Sequence, residues 1–235
     1  MKNICVVSPE QSKESASWLA ELLGARYKNI HNLTSFSTSK ADLVINYGSS
    51  IPIFAGKIIN HPQAVAICVN KISTLKRLCT NCNTVEWTKR KEEARLWINT
   101  GFVVSYEFET KSRSEGVIIN TDLFSFENSP AKFWTKYFTH SHEVRINVFR
   151  DQILSIYEKI SIGDLWDFIP LKILGANDDV TQMIRAIREN IGIDFYGMDV
   201  LVGNNGRCKL LEVNSGAILH DETEKPLVKM IKKEM

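Results

Sequence analysis

Asp199, Glu212 and Asn214 are the residues whose types and spacing most directly suggest chemistry. They flank Asn205-Gly206, a strong two-residue hairpin signal, because a type I′ turn needs positive φ at both central positions and Asn and Gly tolerate it. A turn there sets residue 204 opposite 207, so paired numbers sum to 411 and Asp199 falls opposite Glu212. Residues two apart on a strand share a face, which adds Asn214 to the Glu212 side. Two facing carboxylates repel, whereas two carboxylates and an amide oxygen are the hard donors that Mg2+ takes, with substrate phosphates completing its shell. A solvent-exposed pair relieved by Lys209 or Arg207 is the alternative. The neighbours Leu210, Leu211 and Val213 make the strand core-like and favour the metal. The inference depends on register, since a one-residue slip turns Asp199 away from Glu212.

Several elements must position these groups. Residues 3–7 read as a strand, followed by a helix start in which Ser8 is the N-cap, Pro9 the first helical residue and Gln11 the end of a capping box. That helix stops near Gly24 and buries Trp18, Leu19, Leu22 and Leu23. A strand over 43–46 ends in Tyr47-Gly48-Ser49-Ser50, and together these form a small α/β unit over 1–65. The Gly48 turn is either a plain turn or a ligand contact at the carboxyl end of its strand. Asn70-Lys71 opens a helix to 78, a second covers 92–98, and strands over 102–108 and 117–120 bracket a polar loop. That loop carries Lys111 and Arg113 and offers successive backbone N–H groups to an anion, or is a solvated tip. Strands follow over 133–138, 143–149 and 153–159, then a helix over 180–190 with Met183, Ile184, Ile187 and Ile191 inward. Strands over 194–202 and 209–213 and a last helix over 225–235 complete the chain.

Composition excludes several classes. The 235 residues carry 29 Lys plus Arg against 27 Asp plus Glu, a formal +2. The isoelectric point of 8.2 and the intermixed signs are not those of a nucleic-acid binder. The longest apolar run, 64–69, is far short of the roughly 20 residues a membrane span needs. The first ten residues lack a signal-peptide core, and a cytoplasmic protein is expected. Five cysteines in a chain of this length read as reduced thiols. Cys79 and Cys82 form a CxxC, which is half of a zinc site, a redox pair, or a helix end entering a turn.

The stretch IDFYGMDVLVGNNGRCKLLEVNSG resembles the carboxyl-terminal signature of the ATP-grasp superfamily. Upstream, DLVINYGSS, INHP, VNKISTLKRL, FWTKYF and HEVRINVF follow the order of its carboxylate-amine ligase branch. That branch includes small enzymes of bacteria and phages and is related to the ribosomal-protein glutamate ligases. The resemblance implies a mixed α+β and α/β fold with a small N-terminal α/β domain (1–65) and two α+β subdomains (66–133 and 134–235) clamping ATP. It implies an ADP-forming ligase that makes an amide or peptide bond through an acyl phosphate, with ATP and two Mg2+ as cofactors. Partners would be small-molecule, peptide or protein carboxylates and amines, without nucleic acid or membrane, and a homo-oligomer is allowed for. A non-catalytic ATP-binding module that keeps the fold is the alternative.

Residue by residue, the resemblance makes Asp199, Glu212 and Asn214 the metal ligands and Lys71 a phosphate contact. Trp134, Lys136, Tyr137 and Phe138 match a hinge in which backbone groups around Lys136 and Tyr137 hydrogen-bond adenine. Lys111 and Arg113 lie in the phosphate loop. Arg145 matches an arginine beside the transferring phosphoryl group, a role suited to its permanent charge and planar donors. Lys159 matches a basic catalytic position, although an ideal hairpin through Arg150-Asp151 pairs Arg145 with Ile156 and puts Lys159 on the opposite face. The chain departs from the family at Tyr106, where a cation is usual, in the glycine-poor SRSEG loop, and at Ser215-Gly216-Ala217-Ile218 in place of a Pro-Gly pair. His140 and His142 read as polar strand-start positions or substrate contacts. Trp166 and Phe168, in the 160–174 segment, either line a pocket or pack.

Overall fold

The computed structural model describes residues 3–110, 116–162, 165–171 and 177–234. Strand β1 (Ile4–Ser8) is buried along its whole length, as a parallel strand covered on both faces must be. After a 3-10 turn, helix α1 (Lys13–Leu23) leads to β2 (Arg26–Asn29), β3 (Phe36–Ser37), β4 (Leu43–Asn46), β5 (Ile53–Phe54) and β6 (Ile58–Ile59). The first sheet is parallel in the order β2-β1-β4-β6, with β3 and β5 paired separately. Ser8 is not an N-cap: it ends β1, and its hydroxyl lies 3.0 Å from the Tyr27 hydroxyl. Trp18 is 53% exposed, because Ala16, Leu19, Ala20 and Leu23 form the inner stripe.

Helices α2 (Pro62–Val69) and α3 (Lys71–Leu78) are separated at Asn70, whose side chain accepts from the Ser73 amide and caps α3. Strand β7 (Trp87–Thr88), helix α4 (Lys91–Ile98), β8 (Val103–Tyr106), β9 (Val117–Asn120), helix α5 (Leu123–Asn128) and β10 (Phe133–Lys136) build a middle sheet ordered β7-β10-β8-β9. The expected boundary at 133/134 falls inside β10, whose partners both belong to this sheet.

The third sheet is antiparallel, ordered β13-β12-β11-β14-β15, from β11 (His142–Phe149), β12 (Gln152–Ile162), β13 (Leu165–Pro170), β14 (Phe195–Val202) and β15 (Cys208–Asn214). Helix α6 (Asp178–Asn190), capped by Asn177, packs its inner residues Met183, Ile184 and Ile187 with Val144, Ile146, Met198 and Leu210. The last helix, α7 (Asp221–Lys233), joins a different core, in which Leu227 and Ile231 meet Leu19, Ile45, Phe149 and Phe195. The first domain and the third sheet thus share one apolar core.

Two hairpins depart from the ideal register. Between β14 and β15, Gly203 donates to Arg207 and accepts from Gly206, each at 2.9 Å, so the loop is three residues long. Gly206 takes the left-handed position (φ 76°), and among the described residues only Asn60 and Arg150 are non-glycines with positive φ. This is a type I turn with a glycine bulge, not the expected type I′ turn. Val200 pairs with Leu210 and Val202 with Cys208, and a shift at Asp199/Val200 leaves Leu211 over, which restores Asp199 opposite Glu212. The expected pair forms, but for a different reason. An ideal two-residue hairpin would turn Lys209 inward; the observed one buries Cys208 and Leu210 completely. Residues 83–85 run beside β15, with Val85 donating to the Leu210 carbonyl and Leu210 to the Asn83 carbonyl.

The β11-β12 hairpin shifts likewise between Asn147 and Val148, with Leu154 as the extra residue, so Arg145 faces Tyr157 rather than Ile156. Lys159 therefore lies on the Arg145 face, which corrects the ideal-hairpin expectation. The physical cause is core phase, since Ile153 and Ile156 both belong to the core and are three apart. A bulge absorbs such an odd step.

Candidate functional site

One face of the third sheet carries Glu143 and Arg145 (β11), Lys159 (β12), Asp199 (β14) and Glu212 and Asn214 (β15). Helix α3 adds Lys71 from its first residue. Arg145 meets Asp199 with two donors, Nε to Oδ1 and Nη2 to Oδ2 at 3.0 Å. Lys71 pairs with Glu212, whose other oxygen accepts from Asn214 Nδ2 at 3.0 Å. Lys159 pairs with Glu143, lies 3.6 Å from Asp199 and sits 4.2 Å from the centre of the Trp166 ring. Three cations therefore balance three carboxylates in a cluster that is mostly buried.

Burial alone would raise the Asp199 carboxyl; Arg145 above all, with Lys159 and Lys71, outweighs it and holds the group below the usual range. Burial lowers the Lys71 ammonium to about 8, opposed by Asp199 and reinforced by Lys159 and Arg145. Glu143 is a member that the sequence reading missed. Its signal was available: it lies two residues before Arg145 and must share its face. Strand β13, also unforeseen, brings Phe168 within 5.9 Å of the Arg145 guanidinium and Trp166 over Lys159.

Asp199, Glu212 and Asn214 converge as the register requires, and their oxygen donors suit a hard cation. Among the described residues no three His, Cys, Asp or Glu side chains gather as a metal cluster. The carboxylate oxygens now face Arg145, Lys71 and Lys159, and these are groups that phosphate oxygens would attract away.

In the middle sheet, Trp134 is buried against Phe126, and its side chain serves that sheet's core. The Lys136 and Tyr137 amides already donate to the carbonyls of Glu86 and Phe102, at 2.9 and 3.0 Å. Both amides are thus engaged within the chain. The Phe138 ring packs with Leu75, Val85, Trp87, Leu201 and Leu211, and Lys209 lies 5.4 Å from its centre. This apolar floor was invisible in the sequence because four separate elements supply it. Lys111 and Arg113 lie outside the described residues.

Tyr106 is a packing residue, stacked on Phe133 with centroids 4.4 Å apart and planes 8° apart. Tyr106→Phe is expected to leave stability within about 1 kcal/mol, since its hydroxyl makes a long 3.5 Å contact with the Thr135 hydroxyl. Tyr106→Lys is expected to cost more than about 2 kcal/mol by burying an ammonium in the stack. Urea unfolding of both variants checks this, and a stable Lys variant that tightens ATP binding would contradict it. His142 pairs with Glu158 at 2.5 Å and His140 with the Phe138 carbonyl at 2.7 Å, neither with the central cluster. Cys79 is exposed, whereas Cys82 is buried and pushed up to about 11 by burial and then by Cys79, so the pair offers no activated Cys82 thiolate. Among the described residues no helix is long and apolar enough to cross a membrane.

No protein-family model and no curated sequence matches the chain. Solved structures do. The ATP-grasp ligase PsnB complexed with minimal precursor superposes with a TM-score of 0.72 at 14% identity, covering 100% of both chains. PsnB complexed with precursor peptide PsnA2 and AMPPNP gives 0.71 at 15% identity, covering 99% of this chain and 98% of that one. The N5-carboxyaminoimidazole synthetase from Staphylococcus aureus complexed with ADP gives 0.65 at 13%, covering 94% and 71%.

Proposed function

From the ATP-grasp fold of this chain we infer that it is an ATP-dependent, ADP-forming ligase joining a carboxylate to an amine through an acyl phosphate. The observation that carries this reading is the cluster of Asp199, Glu212, Arg145 and Lys159 on one sheet face with Lys71 of α3 against it. Phosphoryl transfer asks a protein chiefly for positioning and charge neutralisation, and these residues offer both.

Asp199, Glu212 and Asn214 would hold Mg2+, which supplies neutralisation of the phosphate charge. Lys71, released from Glu212, would bind phosphate oxygens. Arg145 would follow the transferring group, a role suited to its planar fork of donors. Lys159 adds a second charge on the same side. The substrate carboxylate attacks the γ-phosphate, ADP leaves, and the amine then displaces phosphate from the acyl group. PsnB, complexed with a precursor peptide, lends support to a peptide as one of the substrates.

Calorimetry of ATP with and without Mg2+ tests the reading. Binding is expected to need Mg2+ and to weaken at least tenfold in Glu212→Gln, about 1.4 kcal/mol. Absence of ATP binding would sink the reading. Binding without ADP release under any mixture of acids and amines would instead favour a non-catalytic module, for which Tyr106 in the usual place of a cation already speaks.

A further inference from the structure

Two buried asparagines outside the charged cluster connect the first domain to it. Asn60, fully buried, is held at φ 62°, a left-handed conformation that Asn tolerates better than most side chains. Its Oδ1 accepts from the amides of Asp194 and Phe195 at 3.0 and 2.7 Å, and its Nδ2 donates to the Phe195 carbonyl at 2.6 Å. Its own amide donates to Asp194 Oδ2 at 3.1 Å. The side chain thus stands in for a neighbouring strand at the start of β14, the strand that carries Asp199. Asn46, also fully buried, donates to the Asn60 carbonyl at 2.9 Å and to the Ser49 carbonyl at 2.7 Å, and accepts from the Ser49 amide at 2.9 Å.

The turn that Asn46 closes lies against the segment that follows Asn214. The Tyr47 hydroxyl donates to the Ala217 carbonyl, a Cβ on Gly216 would sit 3.5 Å from the Tyr47 ring, and one on Gly48 would sit 3.8 Å from Ser215 Oγ. Gly48 has φ 92°, which favours glycine. A continuous run of hydrogen bonds therefore leads from β14 through Asn60 and Asn46 to a turn packed on the carboxyl side of the metal-ligand strand.

We propose that Asn46 and Asn60 are positioning residues that register the 47–49 turn to β14, and that the turn, with residues 215–217, walls the reaction site against water. The second half rests on the ligase reading above. A wall set by two satisfied asparagines keeps water from competing with the substrate carboxylate for the γ-phosphate; loosening it diverts ATP to hydrolysis, in which water's oxygen forms the new P–O bond and ADP leaves.

Asn60→Gly removes the side-chain amide without straining the backbone, and Asn46→Ser removes the amide that donates to the Ser49 and Asn60 carbonyls and accepts from the Ser49 amide. With Mg·ATP alone, both are expected to raise the kcat of ADP release severalfold while the KM for ATP stays unchanged. Ile30→Ala, a change in the separate core on the other side of the first sheet, serves as the control: it lowers the melting temperature without that rise. Amide hydrogen exchange without nucleotide gives the independent arm, with the Ser49 amide expected to exchange faster in Asn60→Gly. Unchanged exchange at Ser49 would overturn the relay. Faster exchange with an unchanged rate of ADP release, or the same rise in Ile30→Ala, would overturn the wall. If the wild type binds no ATP, the ligase reading and the wall fall together, while exchange still decides the relay.

Discussion

Asp199→Ala is expected to destabilise the chain by about 3–5 kcal/mol at pH 7, the loss seen when one partner of a buried ion pair is removed. The Asp199 residue is fully buried, and the Arg145 and Lys159 side chains beside it are each 11% exposed. Without the carboxylate, the three cations Lys71, Arg145 and Lys159 are left with Glu143 and Glu212 in the cluster, and Arg145 loses both of its bonds to Asp199. Urea unfolding measures the difference. Because the folded carboxyl lies below its unfolded value, the stability it contributes is present above about pH 4 and is lost as pH falls through the lowered folded value. The gap between variant and wild type should therefore close in acid. A gap below about 1 kcal/mol at pH 7 would show that solvent relieves the cations as at a surface pair.

Arg145→Lys is expected to lower ADP release by a factor of about 10²–10³ while ATP affinity changes far less, the pattern for a donor aimed at charge that develops in the transition state. Lysine keeps the charge but not the planar fork that makes two bonds to Asp199. Gly197 supplies a second route to the same loss. A Cβ there would lie 2.9 Å from Arg145 Cδ and 3.2 Å from its Nη1, so Gly197→Ala must displace the arginine. Both variants are checked by steady-state kinetics with Mg·ATP once substrates that support turnover are found, or by single-turnover hydrolysis before then. An undiminished rate in Arg145→Lys would place the guanidinium outside the reacting centre.

The sequence by itself determined the local elements and most of the faces they bury. Alternation placed Glu212 with Asn214 and would have placed Glu143 with Arg145, because side-chain direction along a strand has period two. It also held the clue to both bulges: Leu210 and Val213, and Ile153 and Ile156, are core pairs three apart, which no unbroken strand can bury on one face. Overlooking that odd step misread the hairpin loop and put Lys159 on the wrong side, while the Asp199–Glu212 pair survived because the longer loop and the bulge each add one residue.

Tertiary structure alone decided what the cluster is made of. Lys71 reaches Glu212 only because α3 packs against β15, and Trp166 covers Lys159 only because β13 forms an edge strand. Asn60 satisfies backbone groups 134 and 135 positions away. Nothing in its neighbours along the chain signals that, because a side chain replacing a strand leaves no periodic pattern. Local preferences repeat along a sequence and can be read from it; the meeting of distant elements is set by how their cores pack, and it was this packing that assembled the site.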